Sequence, residues 1–276
     1  MKGPKFDQRI RRAGELAPSH PFAAEILGFY KQLATLQKAL YLAHEQRNGT
    51  RRAGKFPQLA GEHLDFEFLA AKFPEFLPAV ESSAPPPIAQ AARELRAQST
   101  SSWNERFSRI LFGEGHVGAN ATHGNAISGE ELLVLTFLQP CAEFFADHGE
   151  AASRGETSRV CPFCRSKPAV GVLRPEGDGG KRSLVCSLCF TEWAYGRIGC
   201  PACGEETVEE LAVYTADQFP HVRLEACDTC RCYIKTVDLT KNGLAVPIVD
   251  ELATIPLNLW AQEHNYLKLQ PNLLGI

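Results

Sequence analysis

Four pairs of cysteines, each pair three positions apart, dominate the chemistry of this sequence: Cys161/Cys164, Cys186/Cys189, Cys200/Cys203 and Cys227/Cys230. A C-x-x-C turn sets two thiolates on one side of a tight bend, which is half of a tetrahedral site; two such knuckles complete a four-sulfur shell. The intervals between pairs are 21, 10 and 23 residues. Cys161-Pro162-Phe163-Cys164 matches Cys200-Pro201-Ala202-Cys203, and each is followed by two strand-like runs, a turn and a further knuckle. The repeat predicts two tandem ribbons of about 35 residues, each closing its own site. Cys161, Cys164, Cys186 and Cys189 would form the first, and Cys200, Cys203, Cys227 and Cys230 the second. The competing cross-brace, first knuckle with third, usually places a His among the ligands and leaves only a few residues between the central pairs. Here that gap holds ten residues and no His.

Zinc and iron both accept four sulfurs. Cys-Pro-x-Cys occurs in zinc ribbons and rubredoxin-like iron sites alike. The glycine usual after the second cysteine of a rubredoxin knuckle is present once, as Gly204, with Arg165, Phe190 and Arg231 at the equivalent positions. Four thiolates saturate a tetrahedral ion and leave no place for water or substrate, which argues against metal-assisted hydrolysis. A ribbon this short buries too little apolar surface to fold alone, whereas a structural tetrathiolate site supplies ~10–16 kcal/mol. The modules should therefore be loose without metal.

Other reactive side chains have plainer readings. Cys232 superposes on Thr191 and is read as a non-ligand; Cys141 lies among Leu133, Phe137 and Phe144 and reads as a small buried hydrophobe. His116 and His123 sit in a glycine-rich loop, Gly113–Gly124, and His221 reads as a turn residue. Trp193 and Tyr195 could form a binding surface or pack against the helical half. Gly177, Gly179 and Gly180 lack the Lys-Ser/Thr of a phosphate loop and read as a hairpin turn. Among the side chains no nucleophile stands with its base, so no catalytic constellation is assigned.

The elements that must position the cysteines change character along the chain. Pro21–Gln46 repeats apolar residues at helical spacing and stops at Asn48-Gly49; further helices are expected over Leu64–Val80, Ile88–Leu95 and around Trp103–Leu111, the last capped by Ser101 or Ser102. Ser128 and Glu131 form a capping box opening a helix over Glu130–Ala146, which Pro140 should kink. From about Arg154 short strands take over: Ala169–Arg174 with Ser183–Val185, Leu211–Thr215 with Val222–Glu225, then Tyr233–Leu239. Val249–Tyr266 returns to a helical pattern with Pro256 inside it. The fold class expected is multidomain. An all-α domain of five or six helices spans 1–153, rubredoxin-like or zinc-ribbon-like four-cysteine modules span 154–197 and 198–242, and a short helical tail spans 243–276.

Composition bounds the function. The chain has 276 residues, 44% hydrophobic and 22% charged, with 29 basic and 32 acidic side chains for a net charge of −3. That balance argues against a protein devoted to nucleic acid, where a basic excess supplies most non-specific affinity. No run of eighteen apolar residues occurs, and Met1–Ala17 is charged and lacks the apolar core of an export signal, so a cytoplasmic protein is expected, with no membrane partner. In that compartment thiols stay reduced, which makes metal ligation the leading account of ten cysteines.

The order Cys-Pro-Phe-Cys at 161, Cys-Ser-Leu-Cys at 186 with Glu192-Trp193 after it, Cys-Pro-Ala-Cys at 200 and Cys-Asp-Thr-Cys at 227 resembles the formate dehydrogenase accessory protein FdhE family. Tyr233–Asp238 and Asp250–Ala253 extend the resemblance. It implies a cytoplasmic, non-enzymatic protein with a helical N-terminal domain and two rubredoxin-like modules. Iron at the eight cysteines is what it suggests, with zinc the alternative. It further implies a role in maturing respiratory formate dehydrogenase, by contact with the catalytic subunit before export. A zinc-ribbon adaptor on nucleic acid or transcription machinery is the competing class, and the sequence leaves a homodimer open.

Overall fold

The computed structural model describes residues 4–48, 59–98, 103–113, 127–149, 158–177 and 179–272. Gly49, Ser101, Ser102, His116 and His123, on which sequence expectations fell, lie outside them.

The N-terminal half is helical: α1 (Pro4–Leu16), α2 (Ala24–Asn48), α3 (Phe66–Glu81), α4 (Pro86–Arg96), α5 (Trp103–Phe112) and α6 (Gly129–His148). The first of these is absent from the sequence reading, which saw only a charged segment. Its signal is a narrow stripe: Phe6, Ala13 and Leu16 are buried with Arg9, and Ile10 packs beside them, at three- and four-residue steps. The capping box at the head of α6 forms as expected, Glu131 N donating to Ser128 Oγ at 3.2 Å and Ser128 N to Glu131 Oε2 at 3.0 Å. Asp65 caps α3 by accepting from Phe68 N. Pro86 and Pro87 open α4, where a missing N–H costs nothing. Residues 133–145 of α6 are buried without interruption except Leu135, as suits a central helix packed on α2, α4 and α5. Phe73, Trp103, Phe107 and Phe137 fill the space around it with ring centroids 4.7–6.1 Å apart.

The C-terminal half is built on β1 (Pro168–Glu176), β2 (Gly179–Cys186), β3 (Glu192–Ala194), β4 (Leu211–Thr215), β5 (Val222–Cys227) and β6 (Cys232–Asp238), followed by α7 (Pro247–Ala253), α8 (Ile255–Glu263) and β7 (Leu267–Lys268). The two ribbons do not stand apart. They fuse into one seven-stranded sheet, ordered β3-β2-β1-β6-β5-β4 with β7 beside β6, through a parallel β1–β6 pairing. That seam needs Gly171: a Cβ there would lie 2.2 Å from Thr236 Oγ1 on the facing strand. The helical tail divides at Thr254, so Pro256 sits in the first turn of α8 rather than within a single helix.

The two halves share a core and a polar seam. Leu184, Leu188 and Trp193 belong to the same buried cluster as Phe73 and Phe137. Arg12 of α1 makes a bidentate pair with the buried Asp250 of α7, at 2.9 and 2.5 Å, and His221 contacts the same carboxylate at 2.8 Å. No helix of the described residues is long and apolar enough to cross a membrane.

Candidate metal centres

Each knuckle bends the same way. Arg165, Phe190, Gly204 and Arg231, the residues after each second cysteine, all take positive φ, at 66°, 56°, 87° and 56°. The turn is closed by N–H groups: Arg165 N reaches Cys161 O at 3.0 Å and Gly204 N reaches Cys200 O at 2.9 Å. Further amides point at sulfur. Phe163 N donates to Cys161 Sγ (3.4 Å), Leu188 N to Cys186 Sγ (3.3 Å) and Ala202 N to Cys200 Sγ (3.3 Å). Amide donors aimed at sulfur favour the thiolate over the thiol.

The eight cysteines gather as the repeat implies. Cys161, Cys164, Cys186 and Cys189 form one group and Cys200, Cys203, Cys227 and Cys230 another, with all sulfurs of a group within 4.8 Å of one another. Across the first, Cys161–Cys189 and Cys164–Cys186 lie 3.5 and 3.3 Å apart; across the second, Cys200–Cys230 and Cys203–Cys227 are both 3.7 Å. A disulfide needs about 2.05 Å, whereas the edge of a tetrahedron with metal–sulfur bonds near 2.3 Å is about 3.8 Å. The described cysteines are free thiols. Both groups could hold a metal ion, and all-sulfur donors with amides directed at them suit a thiophilic cation.

Electrostatics make the same point. Contacts with the Cys164, Cys186 and Cys189 sulfurs hold the Cys161 thiol well below its ordinary range, while burial pushes Cys186 and Cys189 well above theirs. In the second group burial raises Cys200 to about 12 and drives Cys230 higher still. Burial also opposes ionisation of Cys203, but the Glu205 amide and the neighbouring thiols hold it down. Desolvation thus opposes ionisation of Cys186, Cys189, Cys200 and Cys230, and a cation at the centre of each group would offset it.

The surroundings differ. All four cysteines of the first group are buried, whereas Cys203 and Cys230 of the second are partly exposed. Helical residues that the sequence reading did not single out clasp the first group. Gln37 Nε2 donates to Thr136 O and to Gln139 Oε1, and Gln139 Nε2 donates to Ser187 O inside the second knuckle, each at 2.8 Å. The Arg9 guanidinium, held by Glu143 at 2.7 and 2.8 Å, lies 4.1 Å from the centre of the Phe190 ring. Two glutamines 102 positions apart leave no trace in a single sequence. The second group is trimmed by contacts near its surface: Glu205 accepts from Glu206 N, Thr207 N and Thr229 Oγ1, and Arg159 donates to Ala202 O at 2.9 Å.

Of the other candidates, Cys232 is buried and outside both groups, Cys141 is buried with its thiol pushed up by desolvation, and His221 pairs with Asp250. Trp193 donates its indole N–H to Ser158 O and Tyr195 its hydroxyl to Cys200 O, so both serve packing.

Family models described as FdhE, central domain, and FdhE, C-terminal domain, match residues 160–197 and 198–274. A protein FdhE homolog of Aquifex aeolicus is 29% identical over 258 residues, covering 92% of this chain and 87% of the relative. One of Pseudomonas aeruginosa is 36% identical over 124 residues, covering 43% and 40%. The crystal structure of the FdhE protein from Pseudomonas aeruginosa superposes with a TM-score of 0.68 at 23% identity, covering 100% of this chain and 96% of that one, a likeness of fold.

Proposed function

Since the chain belongs to the FdhE family, we propose that it is an accessory protein in the maturation of respiratory formate dehydrogenase, acting in the cytoplasm by contact with the catalytic subunit. In this reading residues 1–153 are a helical scaffold, 154–197 and 198–242 carry the metal centres, and 243–276 form a tail that ties them together. Cys161, Cys164, Cys186, Cys189, Cys200, Cys203, Cys227 and Cys230 are the ligands, and iron is the proposed metal.

The observation that carries the proposal is the pair of all-cysteine groups with sulfur spacings of 3.3–3.7 Å. Four thiolates occupy every position of a tetrahedral ion, so the metal orders a surface or exchanges one electron; it does not activate water. A binding role follows more directly from such sites than a catalytic one.

The test is affinity purification of the tagged chain from a cell producing formate dehydrogenase, together with elemental analysis of anaerobically purified protein. Recovery of the catalytic subunit with two iron atoms per chain, red on oxidation, is the expected result. Recovery of nucleic acid or polymerase with a colourless, zinc-loaded chain would replace the proposal with a zinc-ribbon adaptor.

A further inference from the structure

A groove of about 210 Å³ lies on the sheet between β4–β5 and the segment Arg197–Ala202. Three features mark it. Its lips are apolar and in water: Ile198, Val208 and Val213 are 54%, 59% and 54% exposed. It runs beside β4, which ends the sheet and pairs only with β5 among the described residues, so one edge of Leu211–Thr215 keeps its backbone groups unpaired by strand. A free, uncharged apolar edge of this kind is a template for another strand. Its two ends also differ in charge. Arg223 stands opposite Thr215 at one end of the strand pair, and the ligand-bearing Cys227 stands opposite Leu211 at the other.

The cationic side of the groove is under-compensated. Arg182 and Arg223 share a single carboxylate, Glu225, at 2.6 Å each. Arg182 is 3% exposed and its Nε has no acceptor among the described residues. Arg197, exposed at the mouth, makes no ion pair there among the described residues. Three guanidinium groups of the lining thus face one carboxylate, Arg223 at the Thr215 end and Arg182 where it also donates to Gly196 O and Gly199 O.

We infer that this groove binds an extended peptide segment of a client, added as a strand on β4, with aliphatic side chains over Ile198, Val208 and Val213 and a carboxylate at the Arg223 end. Main-chain pairing supplies affinity in this mode and side-chain pockets supply selectivity. Cys200 and Cys227 also line the groove, which sets its inner wall beside the second metal centre. The inference deepens the client-binding reading and rests on it for the identity of the client alone.

Two measurements test it separately. The first is fluorescence anisotropy of the metal-loaded chain with a labelled peptide, Val-Thr-Val-Thr-Val-Glu-Glu, beside the same peptide ending in Lys-Lys. The acidic probe should bind at least tenfold more tightly. Ile198→Asn combined with Val208→Asn should weaken binding at least tenfold while two metals per chain are retained, and Arg223→Gln should narrow the preference between probes. Equal binding of both probes, or indifference to the lip substitutions, overturns the inference. The second measurement is capture of the formate dehydrogenase catalytic subunit by the same variants. Undiminished capture by the double variant overturns the groove and leaves the accessory role standing; no capture by the unaltered chain overturns that role, while the anisotropy result still decides the groove.

Discussion

The two cysteine groups have the same four-sulfur composition and knuckle geometry but opposite surroundings. The first is interior: its four sulfurs are buried, its second knuckle is clasped by Gln139 and Arg9 of the helical half, and it belongs to that half's hydrophobic cluster. The second is peripheral, with Cys203 and Cys230 partly exposed beside an apolar groove. A duplicated module has thus been embedded once and presented once. The embedded copy joins the helical half to the sheet, and the presented copy borders solvent.

The largest expected effect breaks that symmetry directly. Cys189→Ser and Cys230→Ser should each lower metal content from two ions to one, yet only the first should unfold the junction between halves. Losing even part of a site worth ~10–16 kcal/mol approaches a whole domain's stability. At about 2–4 °C per kcal/mol, a loss of ~5 kcal/mol lowers Tm by at least about 10 °C. Cys230→Ser should leave the helical half's unfolding transition close to its original temperature, measured by circular dichroism at 222 nm. Equal Tm losses in the two variants would show that the centres are equivalent. In the unaltered chain a chelator should strip one ion well before the other, and Cys232→Ser should leave the stoichiometry at two.

The helical half should carry an acid sensitivity of its own. His44 is buried among Phe68 and Phe144, and desolvation lowers its pKa to about 4. The folded value lies below the unfolded one, so stability is complete above about 6.5 and is lost as pH falls toward 4, because the unfolded state takes up the proton first. The span is worth about 3 kcal/mol at 1.36 kcal/mol per pH unit. Denaturant titrations between pH 7 and 4 should show this loss, and His44→Phe should remove it, leaving the decline caused by metal release and by carboxylates such as Asp250 and Glu251, which their cationic partners hold below the ordinary range. An unchanged acid limb in that variant would show that His44 contributes nothing to the decline.

Gln139 is the next step down. Its amide joins Gln37 to the carbonyl of Ser187, both glutamines being buried and the serine half-buried. Gln139→Ala strands that carbonyl and one of the Gln37 donors, at a cost of about 2 kcal/mol. A loss of this size in thermal unfolding, with two metals retained, would separate docking of the first knuckle from ligation. An unaltered Tm would mean the clasp contributes nothing to the difference between centres.

What was legible in the sequence was local. A C-x-x-C bend is specified within five residues, the repeat pairs the knuckles, and Ser128 with Glu131 announces a helix start without reference to anything distant. The embedding was not legible, because its determinants act across long separations. Gly171 and Thr236 meet at the parallel seam 65 positions apart, and neither residue type alone signals a strand partner. The helix α1 hid behind its charges, with only Phe6, Ile10, Ala13 and Leu16 to mark a buried stripe. The first group is buried because the helical half packs over it, while the second lies outside that cluster, and no local pattern encodes this packing.

The smallest effects concern the residues after each second cysteine, where only Gly204 suits its positive φ. A left-handed backbone costs an ordinary residue ~1–2 kcal/mol, so at Arg165, Phe190 and Arg231 the contacts of the side chain decide whether that strain is offset. Phe190 stacks beneath Arg9, and Phe190→Gly should cost about 2 kcal/mol net, since lost cation–π and apolar contact outweigh relieved strain. Arg231 pairs with Asp228, donates to His264 O at 2.6 Å and lies 4.0 Å from the centre of the Tyr266 ring; Arg231→Gly should be close to neutral. Arg165 makes no ion pair among the described residues, so Arg165→Gly should stabilise by about 0.5 kcal/mol, strain relief being partly offset by the greater freedom of glycine in the unfolded chain. The ordering, read from Tm at constant metal content, distinguishes a knuckle strained for a contact from one strained without it. Destabilisation by Arg165→Gly would mean that this side chain, too, holds something in place.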